Sequence, residues 1–211
     1  MMKKLFLYLI CILPLSAMSQ DSVAYSRDFE FKEGFFLTLE QFKNNDPILK
    51  SAVISSYPQT EVDFISQVIN SKYITYKNKD GKEQKVETLS LWGYCQNRTI
   101  CINFNKEFNR VNVIGTLFLF SATVNTPIGY RDPMNVNYGI NYVDELRQFV
   151  LDTHTNKIED FNVKNMELLL QENDPELYTE FMALKKSKKN DSIFIYLRKL
   201  NEKHPLYLSA N

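Results

Sequence analysis

Cys95, Cys101, His154 and His204 have the strongest intrinsic claim on chemistry in this 211-residue chain, and none stands in a pattern that completes a reaction centre. A catalytic histidine needs a reacting group within hydrogen-bond reach and a third group to orient its ring. His154 falls in an expected turn, Thr153-His154-Thr155-Asn156. His204 falls at an expected helix end before Pro205, where its ring would meet terminal carbonyls. There is no G-x-S-x-G elbow, H-E-x-x-H helix, C-x-x-C pair or glycine-rich phosphate loop. Six glycines leave little material for a nucleotide cradle. Asp144 and Glu145 are neighbours in an expected strand, so they point to opposite faces and do not share a substrate. Acids on separate strands remain raw material for a hydrolase acting on glycan or peptide. No catalytic residue is assigned, and neither a cofactor nor a metal centre is expected.

The two cysteines sit on the arms of one expected hairpin, and register decides whether they meet. A two-residue turn at Asn97-Arg98 sets Cys95 against Ile100 and Cys101 against Tyr94, which sends the sulfurs to opposite faces. A three-residue loop, Asn97 to Thr99, would set Cys95 opposite Cys101. The apolar alternation Leu89-Leu91-Gly93-Cys95 matches Ile100-Ile102-Phe104 best in the two-residue register, so two free, buried thiols are expected.

Two segments are candidate ligand- or partner-binding sites. Asn125 to Asn141 (NTPIGYRDPMNVNYGIN) reads as a long connection between strands, and loops of that length are uncommon unless functional or mobile. Tyr130, Arg131, Asp132 and Tyr138 would present aromatic and charged contacts there. Trp92, the single tryptophan, stands beside Tyr94 on the same expected strand face, either as packing or as a stacking platform.

The first nineteen residues carry an address. Lys3 and Lys4 precede the apolar run Leu5 to Leu15, and Ala17-Met18-Ser19 offers small residues before a cleavage point at Gln20. Eleven apolar residues span only about 16 Å as a helix, against a ~30 Å hydrocarbon core. The run therefore reads as a secretory signal peptide over residues 1–19, not a membrane anchor. Cys11 lacks the small residues of a lipoprotein cleavage site ahead of it, so no lipid anchor is expected. Residues 20–211 then carry a net charge of −2, since the leader holds two lysines and no acid. Near-neutrality argues against a nucleic-acid partner, which would require a basic excess.

The elements that must position these residues change period along the chain. Asp21 to Asp28 reads as a loose start. A strand is expected around Gly34 to Leu37, then a short helix opened by a Thr38–Gln41 capping box, a strand over Ile48 to Ser55 and a helix from Thr60. Strands are expected over 72–77 and 85–94 around the turn Asn78-Lys79-Asp80-Gly81, and in the hairpin 92–104. Further strands are expected over Val111 to Val124, apolar on both faces, and at 141–152 and 157–161. Helices are expected after Asn162, after Asp174-Pro175, and from Asp191 or Ser192 to Pro205. Residues 159–180 hold seven acids and one lysine, and residues 185–203 hold seven bases and two acids, so the two blocks can neutralise each other. Strands followed by helices imply an α+β fold: an antiparallel meander with short N-terminal helices and a C-terminal helical segment packed on it. A single domain over residues 20–211 is expected, strand-rich at 29–161 and helical at 162–205.

Three stretches, EGFFLTLEQFKNNDPI (33–48), LWGYCQNRTICIN (91–103) and DPELYTEFMALKKSKKNDSIFIYLRKLNEKHPLYL (174–208), together resemble an uncharacterised family of exported proteins from Bacteroidetes-type bacteria. The resemblance implies a periplasmic or cell-surface location and carries over no catalytic residue. A tyrosine or other large residue is more usual than Cys101 in the second stretch, which weighs against a disulfide. The reading that follows is an exported, non-catalytic binding protein of the cell envelope with a protein or envelope partner. A secreted hydrolase and a periplasmic immunity or inhibitor protein are the alternatives.

Both mature thiols are expected to alkylate after unfolding without reductant; intact mass settles this, and a pair released only by reductant overturns the two-residue register.

Overall fold

The computed structural model describes residues 22–129 and 140–210. In chain order the strands and helices are β1 (Ser22–Ala24), β2 (Gly34–Phe36), α1 (Leu39–Lys43), β3 (Ile48–Leu49), β4 (Val53–Ile54) and α2 (Phe64–Ile69). Next come β5 (Tyr73–Lys77), β6 (Glu83–Glu87), β7 (Gly93–Gln96), β8 (Thr99–Phe104), β9 (Glu107–Val113), β10 (Leu117–Gly129), β11 (Ile140–Asp152) and β12 (Lys157–Asp160). The chain closes with α3 (Val163–Asn173), α4 (Pro175–Met182), α5 (Lys186–Lys203) and β13 (Tyr207–Ser209). The architecture is α+β. An eight-stranded antiparallel sheet runs in the order β12-β11-β10-β9-β8-β7-β2-β3, of which β7 to β12 form the expected meander.

Local chemistry sets the turns. Asn97 and Arg98 both take positive φ (48° and 60°), the mirror-image turn that matches strand twist, so the β7–β8 hairpin has two loop residues. Asn105 and Lys106 repeat it between β8 and β9 (φ 54° and 66°). The Thr38 hydroxyl accepts from Gln41 N–H at 3.1 Å, and Gln41 Oε1 accepts from Leu37 N–H at 2.7 Å, closing the start of α1. At Gly34, φ is +150° and a Cβ would collide with the Ile48 carbonyl, so glycine lets β3 approach β2.

Both sheet faces are covered. One carries a continuous cluster with residues from β2 to β12, including Phe36, Ile102, Phe118, Phe120, Phe149 and Leu151, closed over by Phe42 of α1 and by Leu206 and Leu208. The Phe42 ring lies 5.4 Å from Phe36 and 5.5 Å from Phe118, between centroids. In a flat sheet β2 and β10, four strands apart, would stand about 19 Å from each other. The sheet is therefore curled around this cluster. A register shift at Leu119/Phe120, opposite Val113 and Val111, is the bulge that helps bend it. The other face is covered in two parts. Leu117, Leu119 and Val150 pack on Leu169, Leu170, Phe181, Leu197 and Leu200 of the three C-terminal helices. Phe35 and Leu91 pack on Ile74 and on Phe64, Ile65 and Val68 of α2.

Several expected elements are differently cut. Residues 48–55 are two strands in different sheets, split by a 3-10 turn at Lys50–Ala52. A second 3-10 turn, Thr88–Ser90, ends the strand expected to reach Tyr94, and Leu91 and Cys95 go to different clusters. The run 111–124 is broken at residues 114–116 into β9 and β10. Helix α2 starts at Phe64, after Asp63 and not at Thr60, and leaves Val62 exposed. The expected loose start contains β1, which pairs with β13. Helix α5 begins at Lys186, earlier than Asp191, which places lysines at its N-terminal end, where the macrodipole disfavours them. Lys189 is held there all the same, 2.6 Å from Glu167 and 5.4 Å above the Phe181 ring.

Asn201 of α5 acts as a one-residue strand partner for β10, accepting from Leu117 N–H at 2.8 Å and donating to Leu117 C=O at 2.9 Å. Asn201→Ala should cost about 1–3 kcal/mol by leaving both backbone groups without these bonds. Urea unfolding checks this.

Candidate functional site

The segment expected as a loop over Asn125 to Asn141 is strand at both of its ends, 125–129 in β10 and 140–141 in β11. β10 and β11 pair in one continuous register from Leu117↔Asp152 to Gly129↔Ile140. Tyr130, Arg131, Asp132 and Tyr138 fall between the two strands and lie outside the described residues. The correction has a local cause. Pro127 and Asn125 read as loop residues, but Pro127 stands opposite Tyr142 beyond the reach of β9, where strand proline is tolerated.

This pair of strands projects past its neighbours. Phe120↔Val111 places Glu107, the start of β9, level with Val124. β12 pairs β11 only over 149–152. The projecting part exposes large apolar side chains: Leu146 is 74% accessible, Tyr142 60% and Val143 47%. Asp144 accepts from the Asn125 amide at 3.3 Å and Glu145 from the Thr126 hydroxyl at 3.2 Å. Arg147 pairs with Asp160 of β12 at 2.7 Å, at the point where the ribbon leaves the body. Sequence reasoning placed Tyr142, Val143 and Leu146 in a strand but missed their exposure, because the pattern of one strand does not show where its neighbours end.

A concavity of about 530 Å³ lies where the N-terminal segment, the β9–β10 turn and α5 meet. Tyr25, Ile114 and Leu206 give it apolar walls, and Arg27, Arg198 and Glu202 are its charged residues. Burial raises the Tyr25 phenol pKa, and the nearby Arg27 charge partly opposes this. Its lining comes from both ends of the chain and the middle, so no local spacing could have announced it.

The other candidates are engaged in the body. Cys95 is fully buried opposite Ile100, and Cys101 is buried opposite Tyr94; both thiols are free. Burial, then the Glu33 charge, pushes the Cys95 thiol up to about 12, and burial also raises Cys101, so neither supplies a thiolate near neutral pH. Trp92 is half-buried, 4.9 Å from the Phe42 ring and 6.3 Å from Phe118, and its Nε1 donates to Asn156 Oδ1 at 3.4 Å. It does not share a face with Tyr94, which packs on Phe108 in a different cluster. His154 is exposed in its turn.

His204 meets a carboxylate instead of helix carbonyls: its Nε2 lies 2.7 Å from Asp174 Oδ2. Asp174, buried at the start of α4, also accepts from Leu177 N–H at 3.0 Å and pairs with Lys203 at 3.0 Å. The Leu177 N–H, His204 and Lys203 hold its carboxyl well below the ordinary carboxylate range. Every partner is internal, so this acid fastens α4 to α5. Lys199–Glu180 at 2.8 Å and Lys203–Glu176 at 2.5 Å complete the expected neutralisation between the charge blocks. Among the described residues no three His, Cys, Asp or Glu side chains gather in a metal-binding group, and no helix is long and apolar enough to cross a membrane.

Compared with family models, curated proteins and solved structures, the chain matches none.

Asp174→Ala removes the cap and should lower stability at pH 7 by about 1–2 kcal/mol. A carboxyl whose pKa is depressed on folding stabilises above its unfolded pKa of about 3.9, and that contribution fades as pH falls below it. The gap between wild type and variant should therefore narrow below about pH 4; unfolding curves at pH 7, 4 and 2.5 measure it, and a constant gap refutes the assignment.

Proposed function

We propose that this chain is an exported protein of the bacterial envelope that works by binding a protein partner through the β10–β11 ribbon, without performing catalysis. The observation that carries this is the ribbon itself: strands held firmly at one end, extending past β9 and β12, with Tyr142, Val143 and Leu146 turned to solvent. Soluble surfaces seldom collect large apolar side chains on a projecting element unless something covers them. The candidates Tyr130, Arg131, Asp132 and Tyr138 fall in sequence between the two strands of this ribbon. Export rests on the leader pattern at residues 1–19.

A hydrolase using paired carboxylates would need two acids facing one cleft, about 5–9.5 Å apart. The 530 Å³ concavity is lined by one acid, Glu202, and two arginines, Arg27 and Arg198, a set better suited to holding an anion than to acid–base cleavage. A periplasmic immunity or inhibitor protein is the narrow form of the same binding reading, with one tight partner.

A photo-crosslinking residue at Tyr130, Val143 or Leu146 should yield a discrete adduct in the native envelope. The same residue at Val62, as accessible as Leu146 but on a different element, should not. Replacing Tyr130, Arg131 and Asp132 together by alanine should lower the Leu146 adduct several-fold with the thermal midpoint unchanged. Adducts of equal yield from Val62, or none from the ribbon, remove the proposal.

A further inference from the structure

The backbone of β11 has a phase that can be read from its partners. Gln148 C=O accepts from Phe161 N–H at 2.8 Å, so the N–H and C=O of residue 148 point outward, towards β12. Along a strand this direction alternates, and the β10–β11 register runs without a shift. The N–H and C=O groups of Leu146, Asp144 and Tyr142 therefore point outward too, while those of Arg147, Glu145 and Val143 are turned to β10. Pro127 confirms the phase. It stands opposite Tyr142, a pair that exchanges no backbone bonds in this phase, so its missing N–H costs β10 nothing.

β12 ends at Asp160 because Phe161 turns into the helix-side cluster and Asn162 caps α3. Beyond Gln148 the outer edge of β11 has no partner strand among the described residues. An edge of this kind is a template for an added strand; lysine, proline and bulges block it, and other charges, here Asp144, Glu145 and Arg147, restrict it to a strand of complementary charge. From Tyr142 to Gln148 there is no lysine, no proline and no register shift.

We propose that the outer edge of β11 takes an extended segment of a partner protein as an added antiparallel strand, with two adjacent basic residues set opposite Asp144 and Glu145. This rests on the ribbon being the binding surface and names how it binds. Apolar residues of the added strand face Leu146, Val143 and Tyr142, giving the order apolar, basic, basic, apolar, apolar. Charge disfavours a second copy of this chain centred on either acid, and a pairing centred on Leu146 would set Glu145 against Arg147, whose guanidinium already holds Asp160. Two-fold pairing centred on Asp144 sets Asp144 against its own counterpart, and centring on Glu145 does the same for that residue. Like charges directly opposite destabilise strand pairing.

The test uses amide hydrogen exchange on the mature chain with the peptide acetyl-Thr-Val-Lys-Lys-Val-Ile-Thr-amide at millimolar concentration. In the free chain the amides of Tyr142, Asp144 and Leu146 should exchange at least tenfold faster than those of Val143, Glu145 and Arg147. The peptide should slow the fast set at least tenfold, and its Glu-Glu counterpart should not. Leu146→Pro should fold with an unchanged thermal midpoint, since the N–H it removes has no partner, yet lose the peptide response. Leu146→Val, of similar size but retaining the N–H, should keep it, and Glu145→Pro should lower the midpoint. Protection of the three amides in the free chain, whether by self-association or by the chain itself, overturns the proposal. So does an undiminished response in Leu146→Pro or an equal response to the acidic peptide. If a crosslinker at Val143 still captures its partner in the Leu146→Pro background, strand addition falls while the ribbon remains the contact surface. Loss of all ribbon adducts removes both.

Discussion

The start of β10 is the point on which the molecule is fastened. Leu117 has both its backbone groups taken by the Asn201 side chain, and Thr116 donates its hydroxyl to the His204 carbonyl. The Thr116 carbonyl accepts both the backbone N–H and the hydroxyl of Thr153 in the β11–β12 turn, and Lys43 of α1 donates to Thr153 C=O at 2.8 Å. Thr116 and Thr153 are buried, so each of these bonds satisfies a group with no access to water. Gly115 is required beside them, because a Cβ there would collide with the Asn201 amide. Four separate parts of the chain thus meet at one short, fully hydrogen-bonded corner.

From that corner the helical layer is held at a defined distance from the sheet. Leu117 and Leu119 point into the helices, and Phe118 and Phe120 into the opposite cluster, so one strand serves two cores. The acidic residues of α3 and α4 and the basic residues of α5 are drawn together by this packing. Their exposed pairs add little individually, since solvent screens them, whereas Asp174 is buried and serves as cap, ion-pair partner and hydrogen-bond acceptor at once. The same geometry frees the ribbon. Once Phe161 is committed to the helix-side cluster, β12 can be no longer, and the far half of β11 has no partner strand on its outer side among the described residues. An open edge on a well-anchored strand is a preorganised surface: little ordering remains to be done on binding.

Much of this architecture was legible from residue types and their spacing. Thr38 and Gln41, Asn162, and Asp174-Pro175 announced their helix starts through side-chain oxygens matched to free N–H groups. The Cys95 and Cys101 register followed from apolar alternation across a two-residue turn. The two-sided apolar run Val111 to Val124 marked a strand covered on both faces, which holds for its residues 117–124 but not for the break at 114–116. These signals are short-range, and local hydrogen bonding or side-chain period carries them.

What tertiary structure decided has no local signal. The strand breaks at 50–52, 88–90 and 114–116 depend on which sheet or cluster the next residue joins, and β1 finds its partner at the opposite end of the chain. Whether His204 meets a carbonyl or a carboxylate depends on where α4 is laid against α5. The exposure of Tyr142 and Leu146 depends on the lengths of β9 and β12, two other strands. Period and capping report a residue's own backbone; the surface left bare is set by where its neighbours stop, and that is a property of packing between distant segments.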